Sequence, residues 1–559
     1  MTKSRDIPSK LSGANSNTNY GTNSLIAVTT GDNNTALGTG SLQNNTVGQY
    51  NVGVGSNALQ TNTTGNNNVA VGINTLRYNT TGVDNIGIGL NTLGANTIGN
   101  YNTAIGIQAL GTNTTGGNNT AVGRYSLNAN TVGADNTAIG MHAMISNTTG
   151  NNNTAVGKNA LAANTTGVQN VAVGNGALGA STIGQNNTAV GHAALAANTT
   201  GNNNVAVGAF TLDENTFGTE NVAMGFGALT VNVTGDANIA VGHVTLSANT
   251  NGSRNIAIGS YTLDANTTGF DNVGVGYAAL SSNTIGTDNI GIGRNALVLN
   301  TTGTSNVAVG SYALDALTGG VGNTAVGVLA LSAVTIPAYN TAVGNFALSD
   351  CTTGDANTAV GVASLGSNIT GNSNTGAGFG AGRGVTTGSQ NVFIGRDAGY
   401  SSVNNITTGS NNIIIGYIAA ATSSTVSNQI TLGNSSIATL RCQVTSITAL
   451  SDARDKTEIQ SIPVGLDFIN KLNPVSFTWN MRDGGKVGIK DIGFIAQELA
   501  EAEDSIDSAE LLQLTYRDNP DKLEASQGRL IPIIVKALQE LAAENKELKN
   551  RITILEENR

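Results

Sequence analysis

The sequence is poor in charge, in proline and in large aromatic side chains. Charged residues make up 11% and aromatic residues 4%, whereas 39% of the residues are hydrophobic. Disordered chains usually combine high charge with few apolar residues, so this balance excludes that class. No stretch approaches the ~20 consecutive apolar residues of a membrane-spanning helix. The apolar residues are mostly small, which suits many thin core layers better than one thick core.

Further absences narrow the function. Cys351 and Cys442 form neither a disulfide framework nor a zinc-binding spacing. A net charge of −10 disfavours a nucleic-acid surface. The first residues contain no apolar stretch typical of a secretory signal, so we expect synthesis in a cytoplasm.

Charge is distributed unevenly along the chain. Residues 1–450 contain 11 Lys and Arg and 15 Asp and Glu, whereas residues 451–559 contain 14 and 20. We therefore predict a domain boundary near residue 450.

A 17-residue repeat fills the region before this boundary. Its unit reads N-(T/V/I)-(A/G)-(V/I)-G-x-x-A-L-x-x-N-T-(T/I/V)-G-x-x, and repeat positions 1–17 are numbered from its first Asn. The Gly at position 5 recurs without insertion from Gly38 to Gly395. A fixed period over this length predicts equivalent rungs that stack on one another.

Each rung is too short for a helical hairpin, and its glycines disfavour helix. Positions 2–4 predict a short strand whose Val and Ile residues at positions 2 and 4 face the core. Leu at position 9, as in Leu59 and Leu161, is a second inward anchor, and Gly and Asn form the corners. The small residue at position 3 would let neighbouring chains pack closely. We predict a mainly β fold, a trimeric parallel β-roll or β-solenoid.

The repeat resembles the head repeats of trimeric autotransporter adhesins, on units such as NNVAVG (67–72) and NTAIG (136–140). The resemblance covers roughly residues 17–395 and implies a parallel β-roll within a trimer. The period is longer than is usual in those heads, and the family's signal peptide and membrane anchor are not seen. The fold implication is kept, and the outer-membrane setting is not.

The last residues show the alternating three- and four-residue spacing of a coiled-coil seam of about four heptads. The alternative is an amphipathic helix whose apolar stripe packs on its own domain. The predicted seam residues are Ile531, Ile534, Leu538, Leu541, Asn545, Leu548, Ile552 and Leu555, with Asn545 as the buried polar residue that sets the register.

The region from about 440 to 559 resembles the intramolecular chaperone domain of phage tailspikes and tail fibres, best known from endosialidases. The resemblance lies in S-D-x-R-x-K from Ser451 to Lys456, in KLNPVSFTW (471–479), in IGFIAQEL (492–499) and in the terminal heptads. It implies a domain that trimerises, guides folding of the upstream fibre and then cuts the chain between Leu450 and Ser451.

The resemblance assigns a catalytic dyad to Ser451 and Lys456, with Asp452, Arg454 and Gln497 as supporting motif residues. A serine hydroxyl needs a base to take its proton, and a lysine can act as that base where burial disfavours its ammonium form. Ser451 adjoins the carbonyl of Leu450, so attack within the chain is nearly pre-assembled. An acyl shift with ester hydrolysis and direct activation of water both remain open. The residues alone would equally suit an N-cap or turn at Ser451 and Asp452.

We expect a homotrimeric virion fibre, made in the host cytoplasm, that attaches to a host surface receptor such as a glycan. The expected segments are a polar N-terminal segment for attachment to the virion (1–16), the repeat shaft (17–437), a linker (438–450), a small α+β domain that acts as chaperone and self-cleaving peptidase (451–529) and the coiled-coil helix (530–559). No nucleic acid, membrane insertion, metal or cofactor is expected.

Three alternatives remain. A bacterial surface adhesin or appendage is one. A glycan-depolymerising tailspike would need paired carboxylates, and the acidic cluster of Asp213, Glu214 and Glu220 looks like ordinary exposed corners. Ice binding through threonine ladders such as Thr63 and Thr80 is the third. Among exposed repeat positions, Arg124, Tyr125 and Phe226 are candidate receptor contacts.

Overall fold

The computed structural model describes residues 16–401, 404–437, 440–441, 452–481, 487–506, 509–517 and 523–558, with the side chains of 455 and 509 left undescribed. The chain forms two compact units, one ending at Asn340 and the other beginning at Thr341. Leu450, Ser451, Cys442 and most of the N-terminal segment lie outside the described residues.

Both units contain the repeat, and each described rung contributes one three-residue strand at repeat positions 2–4. Within each unit, a strand pairs in parallel with the strand of the next rung, as Val52 does with Val69. The strands of the first unit are Thr18–Tyr20, Thr35–Leu37, Val52–Val54, Val69–Val71, Ile86–Ile88, Thr103–Ile105, Thr120–Val122, Thr137–Ile139, Thr154–Val156, Val171–Val173, Thr188–Val190, Val205–Val207, Val222–Met224, Ile239–Val241, Ile256–Ile258, Val273–Val275, Ile290–Ile292, Val307–Val309 and Thr324–Val326. Those of the second unit's rungs are Thr341–Val343, Thr358–Val360, Thr375–Ala377, Val392–Ile394, Ile413–Ile415 and Ile430–Leu432. The predicted parallel β-solenoid is confirmed.

The predicted orientation of the strands is wrong. The small residue at position 3 faces the core, and Ala70 is fully buried, whereas Ile88 and Val360 at position 4 are 39% and 45% exposed. The leucines at position 9 are buried as predicted. Space at position 3 is limited, and a Cβ added at Gly87 would lie only 2.7 Å from the side chain of Thr75 in the preceding rung. Each rung therefore buries a small residue and a leucine, and its Val and Ile residues lie on the outer face.

One rung has a large residue at position 3 and compensates for its volume at position 9. Phe393 occupies position 3 and is fully buried. The position 9 residues on either side of it are Gly382 and Gly399, and a Cβ added at either glycine would collide with the Phe393 ring. The large Phe393 side chain thus fits at position 3 because glycine replaces leucine at the two neighbouring position 9 residues.

Asparagine ladders fill the rest of the core. At position 1, the side-chain amide of Asn51 donates to Asn34 Oδ1 at 3.1 Å and to the carbonyl of Gly65 at 2.8 Å. At position 12, Asn62 Nδ2 donates to Asn45 Oδ1 at 2.7 Å. Because buried polar groups are costly without partners, each rung depends on its neighbours to satisfy these amides.

The corners use left-handed backbone beyond the predicted glycines. Position 5 has φ values such as 133° at Gly140, where a Cβ would lie 2.5 Å from the carbonyl oxygen of Gly157. Positions 7, 9 and 17 are also left-handed, and position 9 is usually leucine, with φ of 52° at Leu161. Left-handed geometry costs a non-glycine residue ~1–2 kcal/mol, so packing of the leucine must offset this strain in every rung.

The C-terminal part of the second unit is a small α+β region, as predicted. Its helices are α1 (Leu466–Ile469), α2 (Ala496–Asp504), α3 (Ala509–Leu512) and α4 (Leu530–Glu557), and its 3-10 helices are Ala453–Asp455 and Gln527–Arg529. Its antiparallel strand pairs are Val475–Asn480 with Val487–Gly493 and Thr515–Tyr516 with Glu524–Ala525. Its buried core consists of Val464, Phe468, Ala502, Leu512, Leu514, Leu530 and Ile533. No described helix is long and apolar enough to cross a membrane.

Candidate functional site

The described part of the predicted cleavage motif begins with a capped turn. Asp452 is the N-cap of the 3-10 helix Ala453–Asp455, and its carboxylate accepts a hydrogen bond from the backbone N–H of Arg454 at 2.9 Å. The Arg454 Nε also donates to this carboxylate, at 3.0 and 3.1 Å. Hydrogen bonds from the Arg454 side chain and backbone lower the pKa of Asp452. These two motif residues therefore shape the backbone directly after the predicted cut.

Lys456 ends the same turn. Its backbone N–H donates to the carbonyl of Ala453 at 3.3 Å, and its side chain is exposed. A lysine that acts as a base requires burial, and the described part of a single chain does not provide it here. Because Leu450 and Ser451 lie outside the described residues, the pairing of Ser451 with Lys456 stays a prediction.

The two longer motif strings fold against each other. KLNPVSFTW ends within the strand Val475–Asn480, which pairs with Val487–Gly493, and IGFIAQEL leads into α2. Asn473 Nδ2 donates to Glu498 Oε2 at 3.1 Å, and Trp479 Nε1 donates to Asp491 Oδ2 at 3.1 Å. Gln497 lies in the first turn of α2 and is exposed. The order of these strings in the sequence thus reflects one small folded element.

A buried carboxylate in this region escaped the sequence analysis. Glu503 is nearly fully buried, and it accepts hydrogen bonds from the Leu514 backbone N–H and the Thr515 hydroxyl, both at 2.7 Å. Arg517 donates to Glu503 at 3.3 Å and to both carboxylate oxygens of Asp504 at 2.9 Å. This network ties α2 to the chain after α3, a structural role that no spacing in the sequence indicates.

Helix α4 uses two different faces. Leu530, Ile533 and Ala537 are buried against the region's core. Glu540 accepts a hydrogen bond from the backbone N–H of Leu466 at 2.7 Å, which joins α4 to the start of α1.

The apolar residues of the predicted seam are all exposed, from 41% at Leu541 to 68% at Leu555. Asn545, also exposed, donates to the carbonyl of Leu541 within its own helix at 3.0 Å. The alternative, in which the seam residues pack on their own domain, does not agree with the structure. Leu530, Ile533 and Ala537, which lie outside the seam, pack there. Assembly through the seam remains a prediction.

The shaft candidates lie at exposed corners. Phe226 is 53% exposed, and the Arg124 guanidinium lies 5.0 Å from the ring centre of Tyr125. Glu214 and Glu220 are exposed at different repeat positions, whereas burial raises the pKa of Asp213. The hydroxyl of Thr63 donates to the carbonyl of Thr80 at 3.0 Å, so this threonine ladder bonds along the stack.

The buried thiol of Cys351, in the second unit, is poorly suited to act as a nucleophile. Cys351 replaces Asn at position 12 and is fully buried, and burial raises the pKa of its thiol to about 11. Across the described ranges, no three His, Cys, Asp or Glu side chains gather where a metal could bind.

Comparison with known families agrees with this organisation. Residues 451–508 match the model of a peptidase family described as chaperone of endosialidase. No curated protein and no solved structure matches the chain. The chain thus combines a β-solenoid shaft with a C-terminal segment similar to the endosialidase chaperone family, an arrangement that fits a fibre and is consistent with self-cleavage.

Proposed function

We propose that this chain is one subunit of a homotrimeric virion fibre for host attachment, whose C-terminal region directs assembly and then cleaves between Leu450 and Ser451. The observation that carries the proposal is the amount of apolar surface that a single chain leaves uncovered. It lies on the outer face of the shaft strands and on the seam of α4.

The outer strand face supports association along the shaft. Position 4 holds an aliphatic residue in nearly every rung, and Ile88 and Ile258 are 39% and 41% exposed. Because the rungs pair in register, these side chains form continuous apolar stripes within each unit. Monomeric soluble proteins rarely expose large contiguous apolar surface, so copies of this chain are the natural cover.

The seam of α4 supports a defined number and register of copies. Identical rungs can pair in many shifted registers, and parallel β structure folds slowly. A C-terminal helix bundle would hold the chains in one register and raise their effective concentration. The exposed a and d residues of α4, with Asn545 among them, have the pattern that this role requires.

The proposed cut uses Ser451 as the nucleophile and Lys456 as the base. Lys456 takes the hydroxyl proton as Ser451 Oγ attacks the Leu450 carbonyl, and the Leu450–Ser451 C–N bond breaks as the amine of Ser451 gains a proton. Water then hydrolyses the resulting ester and frees the shaft. Since Lys456 is exposed in one chain, we propose that assembly supplies the burial that activates it, so that cleavage follows assembly.

A bacterial surface adhesin is the second candidate, because the shaft repeat suits either setting. The depolymerase is less well supported, since Asp213, Glu214 and Glu220 lie at three different repeat positions and Glu214 and Glu220 are exposed. The chaperone segment favours the virion fibre over both.

The proposal is tested by purifying the wild type, Ser451→Ala and Lys456→Ala from the same expression host. The wild type should give a shaft fragment on denaturing gels, and both variants should remain at 56.3 kDa. Sedimentation should report trimers for all three, since the variants lose chemistry and keep the seam. An uncut wild type would refute self-cleavage, and a monomeric Ser451→Ala protein would refute assembly by the C-terminal region.

A further inference from the structure

An aromatic ladder crosses six consecutive rungs of the first unit. Its members lie at repeat positions 6 and 7, all six are exposed, and neighbouring ring centres are 5.1–5.9 Å apart. The ladder consists of His192, Phe210, Phe226, His243, Tyr261 and Tyr277. Most neighbouring rings meet edge to face, and Phe226 and His243 are stacked at 14°.

The ladder is part of a larger pattern that recurs every third rung. In each copy a basic residue at position 6 is followed one rung later by an aromatic residue at position 7 and an aspartate at position 10. The copies are His192, Phe210 and Asp213; His243, Tyr261 and Asp264; and Arg294, Tyr312 and Asp315. In the third copy, the Arg294 guanidinium lies 5.6 Å from the Tyr312 ring centre. The spacing of the copies is ~14 Å, from three strand separations.

The three aspartates also share an unusual environment. In each, Oδ1 is buried and accepts no hydrogen bond from the described residues. Burial raises the pKa of all three carboxyl groups. Positions 7 and 10 adjoin at this corner, since the hydroxyl of Thr230 at position 10 donates to the carbonyl of Gly227 at position 7 at 2.8 Å. Each copy therefore places an aromatic side chain and a partly exposed aspartate at the same corner of a rung.

We propose that these three copies are equivalent subsites for a neutral linear polysaccharide. Sugar rings present apolar C–H faces that pack on aromatic rings, and their hydroxyl groups can donate to the exposed part of each aspartate carboxylate. A row of identical subsites suits a polymer with a regular repeat. This inference rests on the proposed attachment role and names the chemistry that attachment would recognise.

Charge and sequence variation exclude two other occupants. Nucleic acids and acidic glycans would meet three carboxylates on a chain of net charge −10, which opposes their binding. A second copy of this chain would cover the aliphatic stripe at position 4, which is similar in nearly every rung. Position 6 does not offer such a uniform surface, because it varies among residues such as Lys158, His192 and Arg294.

The test uses the assembled, cleaved fibre on a printed array of neutral and acidic oligosaccharides. One variant combines Phe210→Asn, Tyr261→Asn and Tyr312→Asn, because Asn is common at position 7 and tolerates its left-handed backbone. A second combines Asp213→Ala, Asp264→Ala and Asp315→Ala, since Ala also occurs at position 10. Phe346→Asn is the control, because Phe346 shares position 7 and is exposed but has Ser349 in place of the aspartate.

We expect the wild type and Phe346→Asn to bind a set of neutral glycans, and each triple variant to lose at least tenfold in affinity. Binding to acidic glycans alone, no binding to neutral glycans, or undiminished binding by the aromatic triple variant would overturn the inference. Gels and sedimentation on the same samples report cleavage and trimers separately. A correctly assembled fibre that ignores neutral glycans would thus refute the subsites and leave the proposed fibre intact.

Discussion

The shaft and the C-terminal region achieve stability in opposite ways. A shaft rung buries asparagine amides, one small residue and one leucine, and leaves its Val and Ile residues on the outer face, as Asn68 and Val71 show. The C-terminal region buries leucine, isoleucine and phenylalanine around Phe468 in the ordinary manner. Repetition explains the difference. A buried asparagine loses little free energy where identical asparagines in the rungs above and below form hydrogen bonds with its amide group. The shaft therefore depends on periodicity, and a single irregular rung should cost more there than a comparable change elsewhere.

The largest effect is expected from a methyl group at repeat position 5. Gly140→Ala would place a Cβ 2.5 Å from the carbonyl oxygen of Gly157, and we expect a loss of about 3 kcal/mol or more. Gly176→Ala is the control in the shaft, since its φ of 69° is also left-handed but nothing lies within 4 Å of the added Cβ. That variant should lose only ~1 kcal/mol. Denaturation midpoints of the cleaved shaft would separate the two, and equal losses would show that the rungs yield to accommodate the methyl group.

The next effect concerns the C-terminal region alone. Glu503→Ala would leave the Leu514 N–H, the Thr515 hydroxyl and Arg517 without their buried acceptor, which we expect to cost about 3 kcal/mol. Glu501→Ala, at an exposed position of the same helix, should be nearly neutral. The melting of the C-terminal region would be followed in the uncut Ser451→Ala background.

The Glu503→Ala substitution should lower the yield of assembled fibre without changing the stability of the cleaved shaft. The yield of assembled fibre should fall, because the region must fold before it can assemble the chains. Any cleaved shaft that does form should be as stable as the wild-type shaft. A weakened shaft would mean that the C-terminal region contributes to stability after the cut.

The sequence predicted correctly the features that depend on the 17-residue period. The constant Gly and Asn positions predicted stacked parallel rungs, and Leu59 and its equivalents are the buried anchors. It failed on the strand faces, since Val-Ala-Val alternates equally well either way and hydrophobicity favoured burying valine. The deciding quantity is the space left by leucine at position 9, and Phe393 between two glycines shows that volume sets the choice.

The candidate sites divide along similar lines. The motif strings around Trp479 and Glu498 predicted a folded element, and these strings do contact each other. The burial of Glu503 follows from tertiary contacts that no local pattern encodes. The subsites at every third rung are visible in the sequence only after each residue has been assigned a repeat position and an exposed corner.

A smaller, stabilising effect is expected from repairing the position 12 ladder. Ser181 interrupts it, and the side-chain oxygens of Ser181 and Asn164 are buried without a hydrogen bond from the described residues. Ser181→Asn would let residue 181 donate to Asn164 and accept from Asn198, for a gain of about 1 kcal/mol. Leu317→Asn is the matched comparison, because it would satisfy Asn300 but leave its own oxygen facing Val334. Denaturation midpoints should rise for the first variant and stay or fall for the second; a rise in both would discount the ladder as the cause.

The smallest effect is a pH-dependent gain from the three position 10 aspartates. Burial raises the pKa of Asp213, Asp264 and Asp315 in the folded shaft, so the native state holds these protons more tightly than the unfolded chain does. Stability therefore falls as the pH rises from the unfolded pKa through the folded one, and at pH 7 the full cost of the charged carboxylates is present. Replacing all three by Asn removes that charge, and we expect a gain of roughly 0.5 kcal/mol per site at pH 7 that disappears below the unfolded pKa of ~3.9. The exposed Glu220→Gln should show no such trend in the same midpoint series at pH 3, 5 and 7. A gain that is equal at every pH would trace the effect to shape or hydrogen bonding and remove burial of charge as its cause.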